Sequence, residues 1–204
     1  MTASLARRVD ALAALLADRG LLDDHFESNH EQRLEEDWVP NNGARIVAKA
    51  WSDPAFKKRL VEDGKAAAIA SGCSFPKHHG ALVVLENTET MHNVICCTLC
   101  SCTAFTIVGM APGWYKDLDY RARIVREART VLSEMGLILP NSIDIRIWDT
   151  TADTRYMVLP LRPSHTEGWS EGDLAALVTQ NALIGVSRLE APYRAVASSI
   201  APTN

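Results

Sequence analysis

The sequence lacks the features that mark exported, membrane-bound or nucleic-acid-binding proteins. No apolar run approaches the roughly 20 residues of a membrane span, and no N-terminal basic segment precedes an apolar one as in an export signal. The net charge of only −4 gives no reason to expect nucleic acid or an acidic membrane as a partner. Five cysteines, three of them clustered, do not fit a disulfide framework. We therefore expect a soluble cytoplasmic protein.

The N-terminal part of the chain differs in pattern from the rest. Residues 4–19 carry leucines at helical spacing, which predicts an amphipathic helix. Residues 23–38 are strongly polar, as in a solvated helix or loop, or in an arm that becomes ordered on a partner. The turn cluster PNNG at 40–43 indicates a domain boundary. We expect a helical arm over 1–42 and one domain with a core over 43–204.

The second part predicts short helices and strands in the irregular order of an α+β fold. The expected helices are two or three short ones between 44 and 71, a long one at 119–135, and one at 174–180 that opens with the capping box SEGD. The expected strands are 82–85, 94–96, 143–147 and 156–159. We expect the last two strands to form an antiparallel pair.

Three thiols lie within six residues in the sequence CTLCSC, at 97–102. No helix or strand brings this C-x-x-C-x-C spacing to one face, so we expect a loop curled around one ion. Thiolates are soft anionic donors that suit a metal. Zinc and iron–sulfur sites normally take four protein ligands, whereas this cluster supplies three and leaves Cys73 and Cys96 outside it. The spacing thus indicates an unusual metal loop, with a closed zinc or redox loop as the alternative.

The CTLCSC loop closely resembles the metal-claw motif of nitrile hydratase alpha subunits. The resemblance covers residues from about 42 to 186 and includes the blocks HNV at 92, WYK at 114, YRAR at 120, WDTTA at 148, RYMVLP at 155 and TEGWS at 166. It implies an N-terminal helical arm that wraps a beta subunit, followed by a layered αββα catalytic domain that carries the claw. The implied assembly is an αβ heterodimer or its α2β2 dimer.

The resemblance also implies how the claw holds a metal and what it does. Cys97 would be the axial ligand and Cys100 and Cys102 equatorial ones, with the backbone nitrogens of Ser101 and Cys102 completing the plane. Cys100 would be oxidised to sulfinic acid and Cys102 to sulfenic acid, whose oxygen acts as nucleophile or base beside the Ser101 hydroxyl. The implied activity is hydration of nitriles to amides at a low-spin trivalent ion. The alternatives are thiocyanate hydrolysis and a non-catalytic thiolate metal or redox protein.

Two signals in the sequence bear on which metal is bound. In families of this kind Thr at position 98 accompanies cobalt and Ser accompanies iron. The segments 102–104 and 149–152 nevertheless resemble iron-type members. One methyl group near a thiolate cannot by itself dictate the ion. The sequence favours iron(III) narrowly over cobalt(III).

Four residues outside the claw are candidates for the substrate pocket. His78 and His79 lie about nineteen residues before the claw, where they would shuttle protons or capture metal, or else belong to a solvated loop. Phe105 stands where relatives have Trp and would still line the pocket. Arg155 matches an Arg near the claw, with a surface position as the alternative. Trp114-Tyr115 is expected to belong to the core or an interface.

Overall fold

A computed structural model describes residues 2–22, 25, 29, 31–76 and 79–192 of the chain. The chain forms two compact units, Met1–Asp37 and Trp38–Asn204. In the first unit, helix α1 (Thr2–Asp18) confirms the helix expected at 4–19. A π-helical turn follows at Arg33–Asp37. Most of the polar stretch between 23 and 30 lies outside the described residues.

The apolar face of α1 is uncovered in the single chain. Leu5, Val9, Leu12 and Leu15 have exposed fractions between 47% and 62%. The helix is amphipathic, yet the leucines that make it so face solvent. No helix in the described part of the chain is long and apolar enough to cross a membrane.

The second unit opens with helix α2 (Pro40–Ser52), which includes the residues expected to form a turn. That turn interpretation is wrong, because Pro40 stands at the helix start, where a proline is tolerated. Gly43 is needed for close packing instead. A Cβ there would lie 2.7 Å from the Leu183 Cδ1 and 2.8 Å from the Ile107 carbonyl oxygen. The arm role of residues 1–42 stays a prediction.

Two further helices confirm the short helical segments expected before residue 71. Helix α3 (Pro54–Glu62) is capped by Asp53, whose carboxylate accepts from two backbone N–H groups of the first turn. Helix α4 (Gly64–Ala70) is capped in the same way by Asp63. Such caps satisfy N–H groups that have no partner inside the helix.

The four strands confirm the expected positions but not the expected pairing. Strand β1 (Ala81–Glu86) pairs in parallel with β4 (Thr154–Leu159), and β2 (Met91–Cys96) pairs in parallel with β3 (Asp144–Asp149). The prediction that β3 and β4 form an antiparallel pair is therefore wrong. Alternating burial identifies a strand but not its neighbour, and the long crossover between β2 and β3 permits the parallel arrangement.

Helices α5 (Phe105–Val108), α6 (Gly113–Lys116) and α7 (Leu118–Glu134) form this crossover. Helix α7 confirms the long helix expected at 119–135, although its backbone is kinked at Glu127. The C-terminal part has two short helices, α8 (Glu171–Ala175) and α9 (Gln180–Ile184). The single helix expected at 174–180 is wrong, because Thr179 has an extended backbone and caps α9. Ser170 caps α8 as expected.

A buried polar cluster fixes the strand that leads to the claw. His92 is almost fully buried, with its Nε2 2.8 Å from the Gly185 carbonyl oxygen and its Nδ1 3.2 Å from the Asn87 amide nitrogen. Gly185 has φ 94°, and a Cβ there would lie 2.1 Å from the Asn93 carbonyl oxygen. Only glycine fits this close approach of two backbone segments. Helices and small parallel sheets together confirm the α+β expectation.

Candidate metal centre

The claw loop begins where the buried strand β2 ends. Its three sulfur atoms, those of Cys97, Cys100 and Cys102, all lie within 4.8 Å of one another. The Cys97 and Cys100 sulfurs are 3.4 Å apart, and those of Cys100 and Cys102 are 2.7 Å apart. Cys97 is buried, Cys102 half-buried and Cys100 exposed. The three thiols of the loop therefore surround a single point, and they range from buried (Cys97) to exposed (Cys100).

Backbone nitrogens also turn toward this point. The N–H groups of Cys100 and Ser101 both donate to the Cys97 sulfur at 3.3 Å. Ser101 adopts φ 140°, a value that L residues rarely adopt. A strained residue of this kind persists only where its surroundings hold it. The loop is thus ordered with its sulfurs and two amide nitrogens on one side.

The strand pairing supplies one of the contacts that hold the loop. The parallel register places Cys96 opposite Asp149, so the two strands end side by side. The Asp149 carboxylate accepts from the Thr98 backbone N–H at 2.9 Å and from the Thr98 hydroxyl at 2.5 Å. The Thr98 hydroxyl is therefore bound to a carboxylate. The Thr98 side chain can influence the claw loop through this hydrogen bond to Asp149.

Two side chains from the crossover helices bind carbonyl groups of the claw. The Tyr115 hydroxyl donates to the Cys102 carbonyl oxygen at 3.1 Å, and an Arg121 guanidinium nitrogen donates to that of Cys100 at 3.0 Å. The sequence predicts a core or interface position for Tyr115, which is fully buried, but it predicts no contact with the claw for Tyr115, Asp149 or Arg121. All three belong to blocks that carried the resemblance, which was the available signal. The three residues are far from the loop in sequence, so the sequence alone does not reveal that they contact it.

The two outer thiols differ in acidity. The hydrogen bond from the Cys102 thiol lowers the pKa of Cys100 to about 7. Burial raises the pKa of Cys102 to about 11, and the charge of Arg155 opposes that rise. Cys100 is therefore the readier thiolate in the metal-free loop, and a cation at the centre would favour the thiolate form of each sulfur.

The other two cysteines lie outside the claw. Cys96 is fully buried in the core, where burial, with a smaller contribution from Asp149, raises its pKa to about 12. Cys73 helps line a separate cavity of about 550 Å³, together with Arg45 and Lys49. Within the described residues, the three claw cysteines are the one group of this type close enough to hold an ion.

The predicted pocket residues lie in different environments. His79 is buried, and its ring centroid lies 4.5 Å from that of Phe105, three residues beyond Cys102. Phe105 also packs against Trp38, with the ring centroids 4.7 Å apart. The Lys65 ammonium donates to the His79 carbonyl oxygen. His78 lies outside the described residues.

Arg155 lies on β4 and is buried. Its guanidinium donates to the carbonyl oxygens of Thr151 and Ala152, which fixes the turn before the strand. Its charge lowers the pKa of Cys102, which places it within electrostatic reach of the claw. The surface position considered as the alternative is wrong, because only 9% of the residue is exposed.

The donor set fits a soft or borderline metal ion. Three thiols converge without disulfides, and two amide nitrogens face the same sulfur. An ion between these atoms would relieve the crowding of the Cys100 and Cys102 sulfurs. Because Cys100 is exposed and Leu99 is 88% exposed, the loop also has a side open to an incoming molecule.

Comparison with known proteins adds to this geometry. Residues 3–187 match the family model described as nitrile hydratase, alpha chain. The chain belongs to the nitrile hydratase alpha-chain family. It is 47% identical to a nitrile hydratase subunit alpha from a Rhodococcus species, over 92% of this chain and 94% of that one. It is 46% identical to a low-molecular-weight cobalt-containing nitrile hydratase subunit alpha from Rhodococcus rhodochrous, over 94% and 92%.

A solved structure is more similar in sequence than these relatives. It is a double mutant of the Fe-type nitrile hydratase from Comamonas testosteroni Ni1, in which two adjacent histidines are replaced by alanine. Identity is 62% and the TM-score 0.89, with 98% of this chain and 99% of that chain covered. The nitrile hydratase resemblance and the layered fold it implied are confirmed.

A subunit of the alternative hydrolase is also a relative of this chain. The chain is 41% identical to the thiocyanate hydrolase subunit gamma from Thiobacillus thioparus, over 87% of this chain and 76% of that one. This identity is lower than the 47% and 46% to the two Rhodococcus alpha chains and the 62% to the Comamonas testosteroni structure.

Proposed function

We propose that this chain is the alpha subunit of an enzyme that hydrates nitriles to amides at a metal held in the claw. The observation that carries the proposal is the convergence of three thiols within 4.8 Å in a chain 62% identical to a nitrile hydratase. The side of the loop that Cys100 and Leu99 leave open gives a small molecule access to the ion, whereas a structural zinc site is closed by four protein ligands.

The proposed ligands are the sulfurs of Cys97, Cys100 and Cys102 and the backbone nitrogens of Ser101 and Cys102. The contact of the Ser101 N–H with the Cys97 sulfur supports the first of these two nitrogens; the second N–H that faces this sulfur is that of Cys100, and the Cys102 nitrogen is proposed from the family resemblance alone. A bound metal would supply Lewis acidity, polarising a nitrile or lowering the pKa of water. Cys100 as sulfinic acid and Cys102 as sulfenic acid would place oxygen atoms beside the substrate, where the Cys102 oxygen acts as nucleophile or base.

The exposure of the two outer thiols supports their proposed oxidation. Cys100 is exposed, and Cys102 is half-buried, whereas Cys97 is fully buried. Oxidants reach exposed thiolates first, so Cys97 is the one expected to remain a plain thiolate. The Ser101 hydroxyl, half-buried between the two outer cysteines, would hydrogen-bond a substrate or an oxidised sulfur.

For the metal, we propose iron(III), with cobalt(III) as the competing ion. The similarity to the Fe-type Comamonas testosteroni enzyme, at 62% identity, supports iron. The cobalt-containing Rhodococcus rhodochrous relative is 46% identical. Thr98 does not decide between the ions, because its hydroxyl is bound to Asp149. Elemental analysis of the purified complex tests this choice directly.

The substrate pocket is proposed to include Phe105, His79, His78 and Arg155. The contact between the Phe105 and His79 rings supports a shared wall, in which the buried His79 holds the aromatic side chain in place. Arg155 would act through its charge on Cys102. If His78 and His79 shuttle protons, their double alanine variant should keep its metal and lose turnover. If they capture metal, it should lose occupancy instead.

We propose that a beta subunit completes the enzyme, as an αβ heterodimer or α2β2. The exposed apolar face of α1 supports a protein partner, because an isolated amphipathic helix is stabilised mainly by what it packs on. The open claw supports the same conclusion, because a second chain would have to cover Leu99 and exclude water. Five free thiols are consistent with the proposed cytoplasmic location.

The test is turnover by the chain co-produced with a nitrile hydratase beta subunit. We expect amide to form from a small nitrile, with one iron or cobalt per alpha subunit. Ammonia and carbonyl sulfide released from thiocyanate would favour the hydrolase alternative. A colourless protein with tetrahedral zinc and no turnover of either substrate would favour the non-catalytic alternative.

A further inference from the structure

In the peptide unit between Cys100 and Ser101, the N–H and C=O groups point in opposite directions. The Ser101 N–H points to the Cys97 sulfur, at 3.3 Å. In a trans peptide the C=O group points away from the N–H of the same unit. The carbonyl oxygen of Cys100 therefore points out of the claw. Whatever holds that oxygen also sets the direction of the Ser101 nitrogen.

Arg121, in the first turn of α7, holds that oxygen. Its guanidinium donates to the Cys100 carbonyl at 3.0 Å, across 21 positions of sequence. The bond ties the claw to a helix whose start is fixed independently, because the Asp117 carboxylate accepts from two N–H groups of its first turn. The guanidinium is a rigid planar donor that has little freedom once it is bound.

Arg121 differs from its neighbour on the same helix. Arg123 forms ion pairs with three carboxylates, those of Asp119, Glu127 and Glu134. Arg121 makes no ion pair within the described residues, and its Nε is buried there without an acceptor. Leaving a buried donor unsatisfied is unfavourable, so the stability of α7 does not account for this placement. The contact with the claw does.

The second helix contact at the claw has a different effect. The Tyr115 hydroxyl binds the Cys102 carbonyl, whose peptide partner is the nitrogen of Thr103. It anchors the end of the loop but does not orient the nitrogen of Ser101. Of these two contacts, that of Arg121 acts on a peptide unit with a proposed ligand nitrogen.

We propose that Arg121 is a positioning residue for the metal centre. It holds the Cys100–Ser101 peptide in the strained conformation that aims the Ser101 nitrogen at the ion, and so prepares the claw before metal arrives. The inference rests on the proposed function, because it takes the Ser101 nitrogen as a ligand. Residues that orient ligands typically contribute 10- to 100-fold to metal affinity.

The test compares Arg121→Met with Arg126→Met in the complex with the beta subunit. Arg126 lies on the same helix and, among the residues that the structure describes, donates to the Ala122 carbonyl of its own helix and not to the claw, so it is the matched control. Metal-free, reduced protein is titrated with Co²⁺, and the thiolate-to-metal absorption band reports binding. We expect Arg121→Met to weaken Co²⁺ binding about 10- to 100-fold and to shift the band. Arg126→Met should behave as wild type.

A melting temperature and a conservative variant separate positioning from general stability. The melting temperature of Arg121→Met should stay close to that of the Arg126→Met control, and Arg121→Lys, which keeps the charge and a donor group but loses the planar guanidinium, should bind Co²⁺ with intermediate affinity. Wild-type affinity and spectrum in Arg121→Met would overturn the inference, as would equal losses in both methionine variants. If the wild-type complex itself binds no Co²⁺ at the thiols, the proposed function fails instead.

Discussion

The contact between Asp149 and Thr98 should control how tightly the claw binds metal. The carboxylate holds the loop entrance through two hydrogen bonds, one from the Thr98 N–H and one from its hydroxyl. A hydrogen bond to a charged group contributes roughly 1.5–3 kcal/mol, and the lower end applies because this site is exposed. A loop released from this contact must be ordered again when metal binds, so the loss appears in affinity.

Three variants separate the two hydrogen bonds. Thr98→Val removes only the hydroxyl bond and should weaken metal binding about tenfold, which corresponds to about 1.4 kcal/mol. Asp149→Ala removes both bonds and should cost about 100-fold. Thr98→Ser keeps both and should bind within about threefold of wild type, with the same choice of metal.

The assay is a Co²⁺ titration of the metal-free, reduced complex, followed by visible absorption. This role of the contact between Asp149 and Thr98 would be refuted if Asp149→Ala bound Co²⁺ as tightly as wild type. It would also be refuted if Thr98→Ser lost as much affinity as Thr98→Val, because the methyl group and not the hydroxyl would then be the important part of the side chain.

Three further predictions concern the cysteines, a buried histidine and the arm. Cys97→Ala should remove metal and activity together, whereas Cys73→Ala, outside the claw, should keep both; elemental analysis and turnover decide. Burial lowers the pKa of His92, so below about pH 6.5 the unfolded chain takes up a proton that the folded chain does not. The contribution of His92 to stability, measured by urea denaturation as the difference between wild type and His92→Gln, should therefore be constant above that pH and fall below it by at most about 1.4 kcal/mol per pH unit. Leu12→Glu in α1 should weaken co-purification with the beta subunit, whereas Arg8→Glu on the same helix should not; equal effects would contradict a role for the apolar face.

Local patterns predicted most elements of the fold because their causes are local. The α7 helix followed from its apolar spacing, and the capping role of Ser170 followed from its side chain. Pairing between strands depends on contacts distant in sequence, so the parallel arrangement of β2 and β3 was not predictable from alternation alone. The turn predicted at residues 40–43 is wrong for a similar reason. These residues start a helix in which Gly43 packs against Leu183 and Ile107, and those contacts are distant in sequence.

The candidate site likewise has a part that the sequence predicts and a part that only the fold reveals. The three cysteines lie within six residues, so their spacing and the family resemblance sufficed to identify the claw. The residues that hold the loop, Tyr115, Arg121 and Asp149, are 13, 21 and 51 residues away from their claw partners. Their importance follows only from the fold, which brings α6, α7 and β3 to the end of one strand.

The most direct test of the account is the composition of the claw in the purified complex with the beta subunit. Elemental analysis and mass spectrometry of the peptide around residues 97–102 are made on the same sample. We expect one iron or cobalt ion per alpha subunit, with two oxygen atoms on Cys100, one on Cys102 and none on Cys97. Stoichiometric zinc with three unmodified cysteines would contradict it.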